Sequence, residues 1–209
     1  MKISYAITVC NELEEIKRLV DFLLLNKRQQ DEIVILYDNN GSIEVYDYVD
    51  TVDDEVEDIL VVKDNFTGHF ADWKNQLTSY CTGDYIFQID ADELPSEDLM
   101  KGLPYVLEQN PTTDMFLVPR VNTVEGLTQE HIQKWGWGVN EKGWVNYPDF
   151  QMRVYKNDPN IKWENKVHEV LNGFKSWSAF PIDDEEFVLY HPKTIDRQEK
   201  QNNYYSTLD

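Results

Sequence analysis

The chain has 209 residues, of which 41% are hydrophobic and 13% aromatic, so it is long enough and apolar enough for a globular protein with a substantial core. Its 39 acidic and 19 basic residues give a formal net charge of -20, and a surface of that sign repels nucleic acids and anionic membranes. Two cysteines, Cys10 and Cys81, are too few for a disulfide framework and are expected to be reduced thiols. The first apolar run ends too soon for a signal peptide, and no run is long enough to span a bilayer, so we expect a cytoplasmic protein.

The first ninety or so residues alternate between short apolar runs and amphipathic segments. The apolar runs predict strands over residues 3–9, 32–37, 59–62 and 85–89, and the amphipathic segments predict helices over 13–25 and 70–80. The acidic stretch 52–58 is predicted to be a solvated connection. This alternation indicates an α/β fold with a mostly parallel central sheet flanked by helices.

Polar residues follow three of these strands. Asn11-Glu12, Asp38 and Asp90-Ala91-Asp92 each come directly after an apolar run. In open α/β sheets, ligands bind at the carboxyl ends of the strands, so these loops should face one cleft. Asp90 and Asp92 alternate along an extended backbone and point the same way, where their charges repel unless a cation lies between them. Mg²⁺ or Mn²⁺ takes such oxygen ligands together with substrate phosphates, so a metal–diphosphate site is one interpretation and a solvated acidic loop is the other.

The order and spacing of these segments resemble the nucleotide-binding half of a GT-A glycosyltransferase of family 2. The matching segments are 8–12, Asp38 with Gly41-Ser42, Gly68 with Lys74-Asn75, 83–86 and 90–93. Ile43 departs from the pattern, because an acidic or amide residue often follows the serine. The resemblance implies a single GT-A domain over 1–209, with a nucleotide-sugar-binding half at 1–93 and an acceptor-binding half at 94–209. It also implies transfer of a sugar from a nucleotide-diphosphate donor, of which UDP is favoured by analogy through Asp38, to a carbohydrate or other hydroxyl acceptor.

The resemblance also assigns roles to individual residues. The nucleotide-sugar site would comprise Thr8, Val9, Glu12, Asp38, Lys74, Asp90 and Ala91, and Mn²⁺ or Mg²⁺ would be held by Asp90, Asp92 and a late histidine. Asp38 would accept a hydrogen bond from the nucleobase, although its short side chain is also typical of an Asx turn. Lys74 would approach the diphosphate, and its alternative is a solvated helix lysine.

Two later segments, 147–155 and 163–169, resemble a bacterial subgroup of family 2 that modifies surface polysaccharide and lipopolysaccharide core. In that subgroup a Pro-Asp-x-Gln-x-Arg segment precedes Val-His-Glu, and a later histidine leads into a C-terminal helix, which fits His191 and residues 197–205 here. That helix is short, so we expect the added domain or membrane-association helix of larger relatives to be missing. The resemblance makes His168 the favoured metal ligand and His191 its rival.

An inverting transfer needs a carboxylate that takes the proton of the acceptor hydroxyl. Asp149, in a predicted turn before an apolar strand, is the first candidate, and Glu169 is the second. Arg153 is expected to orient a carboxylate, to meet phosphate or to form a structural salt bridge. The tryptophans of segment 135–144 lie beside glycines and form either flat walls for sugar rings or ordinary packing contacts.

Two other classes of protein share parts of this pattern. A nucleotidyltransferase would normally carry a Gly-rich basic loop after its first strand, and residues 9–12 contain neither glycine nor a base. A non-catalytic sugar-binding or calcium-binding module is the second alternative, but the Asp90 loop lacks the ligand spacing of an EF-hand. A transferase that has lost its activity would keep the same motifs, and hydrolysis of a nucleotide sugar distinguishes it.

Overall fold

The computed structural model describes residues 1–182 and 185–205. Within these ranges the chain forms six α-helices, eleven strands and a 3₁₀ turn at Glu185–Phe187. The helices are α1 Leu13–Asn26, α2 Ile43–Glu55, α3 Phe70–Tyr80, α4 Glu97–Gln109, α5 Gln129–Trp135 and α6 Ile195–Tyr205. The strands are β1 Ile3–Val9, β2 Glu32–Asp38, β3 Ile59–Asp64, β4 Tyr85–Asp90, β5 Leu94–Pro95, β6 Met115–Glu125, β7 Val145–Lys156, β8 Lys162–Glu164, β9 Val170–Asn172, β10 Trp177–Ala179 and β11 Leu189–Thr194.

The central sheet has the strand order β3-β2-β1-β4-β7-β6-β11-β5, with β10 also paired to β6. The first four strands are parallel, whereas β7 runs antiparallel to both β4 and β6. From β1 the chain proceeds outward to β2 on one side, and β4 lies on the other side. This reversal of strand order opens a crevice at the carboxyl ends of β1 and β4, which is where α/β proteins bind ligands. The predicted mostly parallel α/β sheet is confirmed.

The core lies on both faces of this sheet because successive side chains of a strand point to opposite sides. Tyr5 and Ile7 pack with α1, α2 and α4 in one cluster, while Ala6 packs with α3 in the other. The exposed fraction of Ala6 and Ile7 is 0%. Burying an aliphatic side chain of Ile or Leu size contributes about 1.5–3 kcal/mol, so the two layers hold the strand ends rigidly in place.

The acidic stretch 52–58 was predicted to be a solvated connection, and this was wrong for its first part, which belongs to α2. The Ser42 side chain accepts a hydrogen bond from the backbone of Val45 and caps the start of this helix. Val45 and Val49 are buried one helical turn apart and anchor it to the sheet. The remaining positions are largely acidic or exposed, so the sequence carries only a narrow apolar stripe.

Strands β6 and β7 form a long antiparallel pair with register shifts at residues 116–117 and 120–122. The expected turn at Tyr147-Pro148-Asp149 is wrong, because these residues lie within β7. Pro148 is tolerated there because β4 pairs with β7 only later, at residues 154–156, so the missing amide hydrogen breaks no bond to β4. The pairing places Asp149 directly opposite Arg120.

None of the helices within the described ranges combines the length and the apolar character needed to cross a bilayer.

Candidate active site

The carboxyl ends of β1, β2 and β4 open into a cleft of about 1210 Å³. Its opposite wall is formed by β6, β7, the segment before β9, and the β11–α6 region. Every residue that the sequence assigned to the site lines this cleft: Thr8, Val9, Glu12, Asp38, Lys74, Asp90, Ala91, Asp92, Asp149, His168 and Glu169. His191, the rival histidine, lines it as well. The strand-end argument predicted the meeting of Glu12, Asp38 and residues 90–92, and the family resemblance supplied the others. The ligand that each one binds stays a prediction.

Asp90 is held by a buried ionic network at the end of β4. Arg153 donates one hydrogen bond of 2.6 Å to Oδ2 of Asp90 and another of 2.6 Å to Oε1 of the fully buried Glu93. Arg120 donates to the same Glu93 oxygen at 2.9 Å. Burial alone would raise the pKa of Asp90, but the charges of Arg153 and Lys74 hold it well below its usual range. Asp90 is thus an ionised carboxylate whose orientation is fixed.

The same network answers the question that the sequence left open for Arg153. Its guanidinium forms a salt bridge with Asp90 and Glu93, and it is itself buried. The salt bridge orients the Asp90 carboxylate, so both the orienting role and the structural role apply.

Asp92 lies at a junction of the two halves of the chain. Its Oδ2 is 3.2 Å from Nε2 of His191 and 3.3 Å from a guanidinium nitrogen of Arg197. Burial would raise the pKa of Asp92, and the hydrogen bond and charge of His191 lower it well below its usual range. Both partners come from the C-terminal β11–α6 region. His191, the rival of the favoured His168, is thus in contact with Asp92.

Lys74 is buried on α3 at the edge of the cleft, so the interpretation as a solvated helix lysine is wrong. Its Nζ donates to Oε1 of Glu169 at 2.5 Å and lies 3.6 Å from Oδ1 of Asp90. The ammonium also lies 4.7 Å from the ring centroid of Trp163. An ammonium shared by two carboxylates in a cleft is well placed to exchange one of them for a phosphate oxygen.

Asp149 is surrounded by hydrogen-bond donors. Arg120 donates to its Oδ2 at 2.9 Å, Asn122 donates to the same oxygen at 2.8 Å, and Gln151 donates to Oδ1 at 2.6 Å. Burial would raise the pKa of Asp149, but the charge of Arg120 and these hydrogen bonds lower it below its usual range. Stabilising the carboxylate in this way makes Asp149 a weak proton acceptor.

Asp38 closes an Asx turn at the end of β2 and also faces the cleft. Its Oδ1 accepts from the backbone of Asn40 at 3.0 Å and from the backbone of Phe66 at 3.1 Å. Its Oδ2 lies on the side of the Cys10 thiol, 3.7 Å from Sγ. The turn role of Asp38 is therefore met through Oδ1, and its contact with a nucleobase stays a prediction. Burial and the Asp38 charge raise the pKa of Cys10 to about 12, so this free thiol is not a nucleophile at neutral pH.

Glu12 stands at the start of α1 but does not cap it through its side chain. Its Oε2 instead accepts from the backbone of Cys10 and Asn11, at 2.9 Å each, and shapes the loop after β1. Its Oε1 lies 3.5 Å from Arg197, which also forms an ion pair of 2.5 Å with Glu15. Arg197 thus ties α6 to the loop predicted to line the nucleoside pocket, a role that no local sequence motif signals.

The donor set at Asp92 fits a divalent cation. A carboxylate oxygen and an imidazole nitrogen that face each other are ligands that Mn²⁺ and Mg²⁺ accept, with waters and phosphate oxygens completing the shell. Within residues 1–182 and 185–205, no three His, Cys, Asp or Glu side chains are already gathered as a ligand set. His168 lines the same cleft next to Glu169, with a left-handed backbone φ of 53°.

The aromatic residues near the cleft are packed mainly against one another. Trp135 stacks on His131 with ring centroids 5.2 Å apart and contacts Trp137 at 4.6 Å. Trp144 meets the Tyr147 ring edge-on at 4.7 Å. Of these rings only Trp137 lines the cleft, within the described residues. The packing interpretation therefore holds for most of this group, and Trp137 remains the candidate sugar contact.

Comparison with known families decides the classification. The profile of Glycosyl transferase family 2 matches residues 4–176. The chain belongs to glycosyl transferase family 2. No curated protein matches it. The expected family, the GT-A fold and the class of glycosyltransferases are confirmed, and His191 and Arg197 lie beyond the matched segment of this family 2 chain.

Solved structures share the fold of this family 2 chain at low sequence identity. S. aureus TarS 1-349 superposes with a TM-score of 0.62 at 13% identity, covering 92% of this chain and 60% of that one. The same protein in complex with UDP-GlcNAc gives a TM-score of 0.63 at 14% identity, over 92% of this chain and 59% of that one. Its complex with UDP gives 0.60 at 13% identity, over 92% and 60%. The chain therefore spans about 60% of the length of these structures.

Proposed function

We propose that this chain transfers a sugar from a nucleoside diphosphate sugar, with UDP as the nucleotide, to a hydroxyl of a carbohydrate or other acceptor. The observation that carries the proposal is the convergence of three parts of a family 2 chain in one cleft: Asp38 at the end of β2, Lys74 on α3, and Asp90 with Asp92 at the end of β4. A nucleoside needs a hydrogen-bonding partner, a diphosphate needs a positive charge, and a metal ion needs carboxylates. All three kinds of partner lie side by side in this cleft. The UDP and UDP-GlcNAc complexes of S. aureus TarS support the choice of nucleotide.

The nucleoside would bind between the loops after β1 and β2. Oδ2 of Asp38 accepts a hydrogen bond from the base, while Thr8, Val9 and Glu12 line the pocket on the β1 side. Ala91 is buried between the two aspartates and leaves room for the ribose and the sugar. A base that donates a ring N–H fits an acceptor-only carboxylate, and uracil is such a base.

Lys74 would bind the diphosphate. Its ammonium lies between Glu169 and Asp90, and the diphosphate as a whole carries more negative charge than either carboxylate. Exchange of Glu169 for a phosphate oxygen would bind the donor and at the same time release Glu169. Charge-assisted contacts of this kind also stabilise the negative charge that develops on the leaving diphosphate.

We also propose that Mn²⁺ or Mg²⁺ is held at Asp92, with Asp90 beside it and a histidine as a further ligand. When bound, the cation would neutralise charge on the leaving diphosphate. His191 is the better placed histidine because its Nε2 already lies 3.2 Å from Asp92, whereas His168 is the one that the family resemblance favoured.

The base for an inverting transfer is proposed to be Glu169, ahead of Asp149. Three side chains hold the Asp149 carboxylate and lower its pKa, which opposes proton uptake. Glu169 contacts Lys74, a partner that the diphosphate would draw away. Asp149 would then position Arg120 and Asn122 on the acceptor side of the cleft.

A panel of nucleotide sugars tests the proposal. Thermal stabilisation of the protein by one of them, larger with Mn²⁺ than with a chelator, is expected because a ligand that binds the folded state raises its apparent stability. Release of free UDP from the stabilising sugar nucleotide should follow. Stabilisation by nucleotide sugars without any turnover would favour an inactive sugar-nucleotide-binding module, and no stabilisation by any nucleotide would contradict the proposal.

A further inference from the structure

Asn122 lies on β6 between two polar groups of the cleft. Its Nδ2 donates to Oδ2 of Asp149 at 2.8 Å, and its Oδ1 lies 2.6 Å from Nδ1 of His191. The sheet enforces this placement because β6 is paired with β7 on one side and with β11 on the other, and His191 is the register partner of Asn122.

The orientation of this amide follows from the chemistry of its neighbours. An ionised carboxylate only accepts hydrogen bonds, so Asp149 must face the NH₂ end of Asn122. The carbonyl oxygen then faces His191, and a carbonyl needs a donor in that position. The reverse orientation would bring two acceptors together at Asp149 and leave a hydrogen bond unmade. Nδ1 of His191 therefore carries the hydrogen.

This hydrogen determines what the other imidazole nitrogen can do. Nε2 of His191 faces Oδ2 of Asp92 at 3.2 Å. Without a cation, a hydrogen on Nε2 can also bond to Asp92, whereas a neutral imidazole with its hydrogen on Nδ1 presents a lone pair there, so that Nε2 and the carboxylate can hold one cation together. The carboxylate and the lone pair together form two ligands that point at one position.

We infer that Asn122 is a positioning residue that fixes His191 with Nε2 directed to the cation at Asp92. The inference rests on the cation of the proposed function. The histidine and Asp92 would touch the cation, and Asn122 acts only through the histidine. Partners of this kind, which orient a ligating imidazole through its other nitrogen, commonly change metal affinity about 10- to 100-fold when they are removed.

Two variants separate this role from general packing. Asn122→Leu removes the acceptor for His191 at similar volume. Gln151→Leu is the matched control, because Gln151 also donates an amide hydrogen to Asp149, through Oδ1, at the next residue but one along β7. Calorimetric titration of Mn²⁺ into the UDP-saturated protein gives the cation affinity of each variant.

The expected result is a loss of about 10-fold or more in Mn²⁺ affinity for Asn122→Leu, with Gln151→Leu close to the wild type. Equal affinities for Asn122→Leu and wild type would overturn the inference while leaving the proposed cation intact. An equal loss in Gln151→Leu would assign the effect to Asp149 and also overturn it. A wild type that binds UDP but no Mn²⁺ would contradict the cation itself, and with it this inference.

A spectroscopic measurement tests the same point without metal or activity. In protein labelled with ¹⁵N-histidine, Nδ1 of His191 should show the resonance of a protonated, hydrogen-bonded nitrogen, and the signal of its proton should be lost or shifted in Asn122→Leu. An unprotonated Nδ1 in the wild type would overturn the inference irrespective of metal binding.

Discussion

Lys74 and Glu169 are 95 residues apart in the chain, yet Nζ of the lysine donates to Oε1 of the glutamate at 2.5 Å. The contact links α3 in the first half of the chain to the segment before β9 in the second half. In the proposed function, Glu169 and a phosphate oxygen of the donor therefore compete for the Lys74 ammonium. Donor binding that recruits Lys74 would free Glu169 only when the leaving group is in place.

Lys74→Met tests the first half of this relationship. UDP affinity should fall about 10-fold or more, because a hydrogen bond to a charged group contributes about 1.5–3 kcal/mol, while uridine affinity should not change. Lys101→Met is the matched control, since Lys101 is an exposed helix lysine paired with Glu97. Calorimetry with UDP and uridine measures both, and parallel loss of the two affinities would show that Lys74 supports the pocket rather than the diphosphate.

Glu169→Gln and Asp149→Asn test the base. Glu169→Gln should lower the rate of sugar transfer about 100-fold or more, the usual size of a general-base contribution, and leave UDP affinity unchanged or higher. Asp149→Asn should lower transfer less. Initial rates at saturating donor, together with UDP binding, separate the chemical step from donor affinity. A larger loss of rate in Asp149→Asn would return the role of base to Asp149.

His191→Ala and His168→Ala test the histidine ligand. Removing a direct ligand should weaken Mn²⁺ binding to the UDP complex about 10-fold or more, and the contact of His191 with Asp92 predicts that His191→Ala has this effect. Titrations of Mn²⁺ into both variants provide the comparison. If only His168→Ala loses affinity, the family resemblance identified the ligand correctly and the contact of His191 with Asp92 serves another purpose.

Glu32 gives a prediction for stability against pH. Burial would raise its pKa, but hydrogen bonds from Lys2, Ser4 and Thr82 lower it to about 2. Because the folded protein favours the ionised form, this contribution is fully present above the ordinary pKa of a glutamate and is lost as the pH falls toward 2. Glu32→Gln should therefore lower the melting temperature at pH 7 and have a smaller effect near pH 3.

The control for that experiment is Glu57→Gln, at an exposed position of the turn between α2 and β3. Melting curves of the three proteins between pH 7 and pH 3 measure the effect. A difference between wild type and Glu32→Gln that stays constant over this range would show that the lost contribution does not depend on ionisation.

Much of the fold could be predicted because it depends on local patterns. The strands β1 to β4 are short apolar runs, and the polar residues that follow them must meet at one edge of a parallel sheet. Helix α2 was missed because Val45 and Val49 are its only buried residues, and a stripe of two side chains hardly differs from a solvated acidic segment.

The partners within the site could not be predicted because they depend on pairing between distant strands. Nothing near His191 in the sequence indicates Asp92, since the contact arises from the antiparallel pairing of β11 with β5, which sets Tyr190 opposite Leu94. Likewise, Arg120 meets Asp149 only through the register of β6 with β7. The sequence identified which carboxylates reach the cleft, but not which histidine, lysine and arginine side chains pair with them.

The most direct test of the central claim is the binding of UDP to wild-type protein and to Asp92→Asn, each with Mn²⁺ and with a chelator, measured by calorimetry. The account predicts that Mn²⁺ strengthens UDP binding to the wild type, that the chelator reverses this, and that Asp92→Asn binds UDP with the same affinity in Mn²⁺ and in chelator. UDP affinities that are the same in all four titrations would contradict the account.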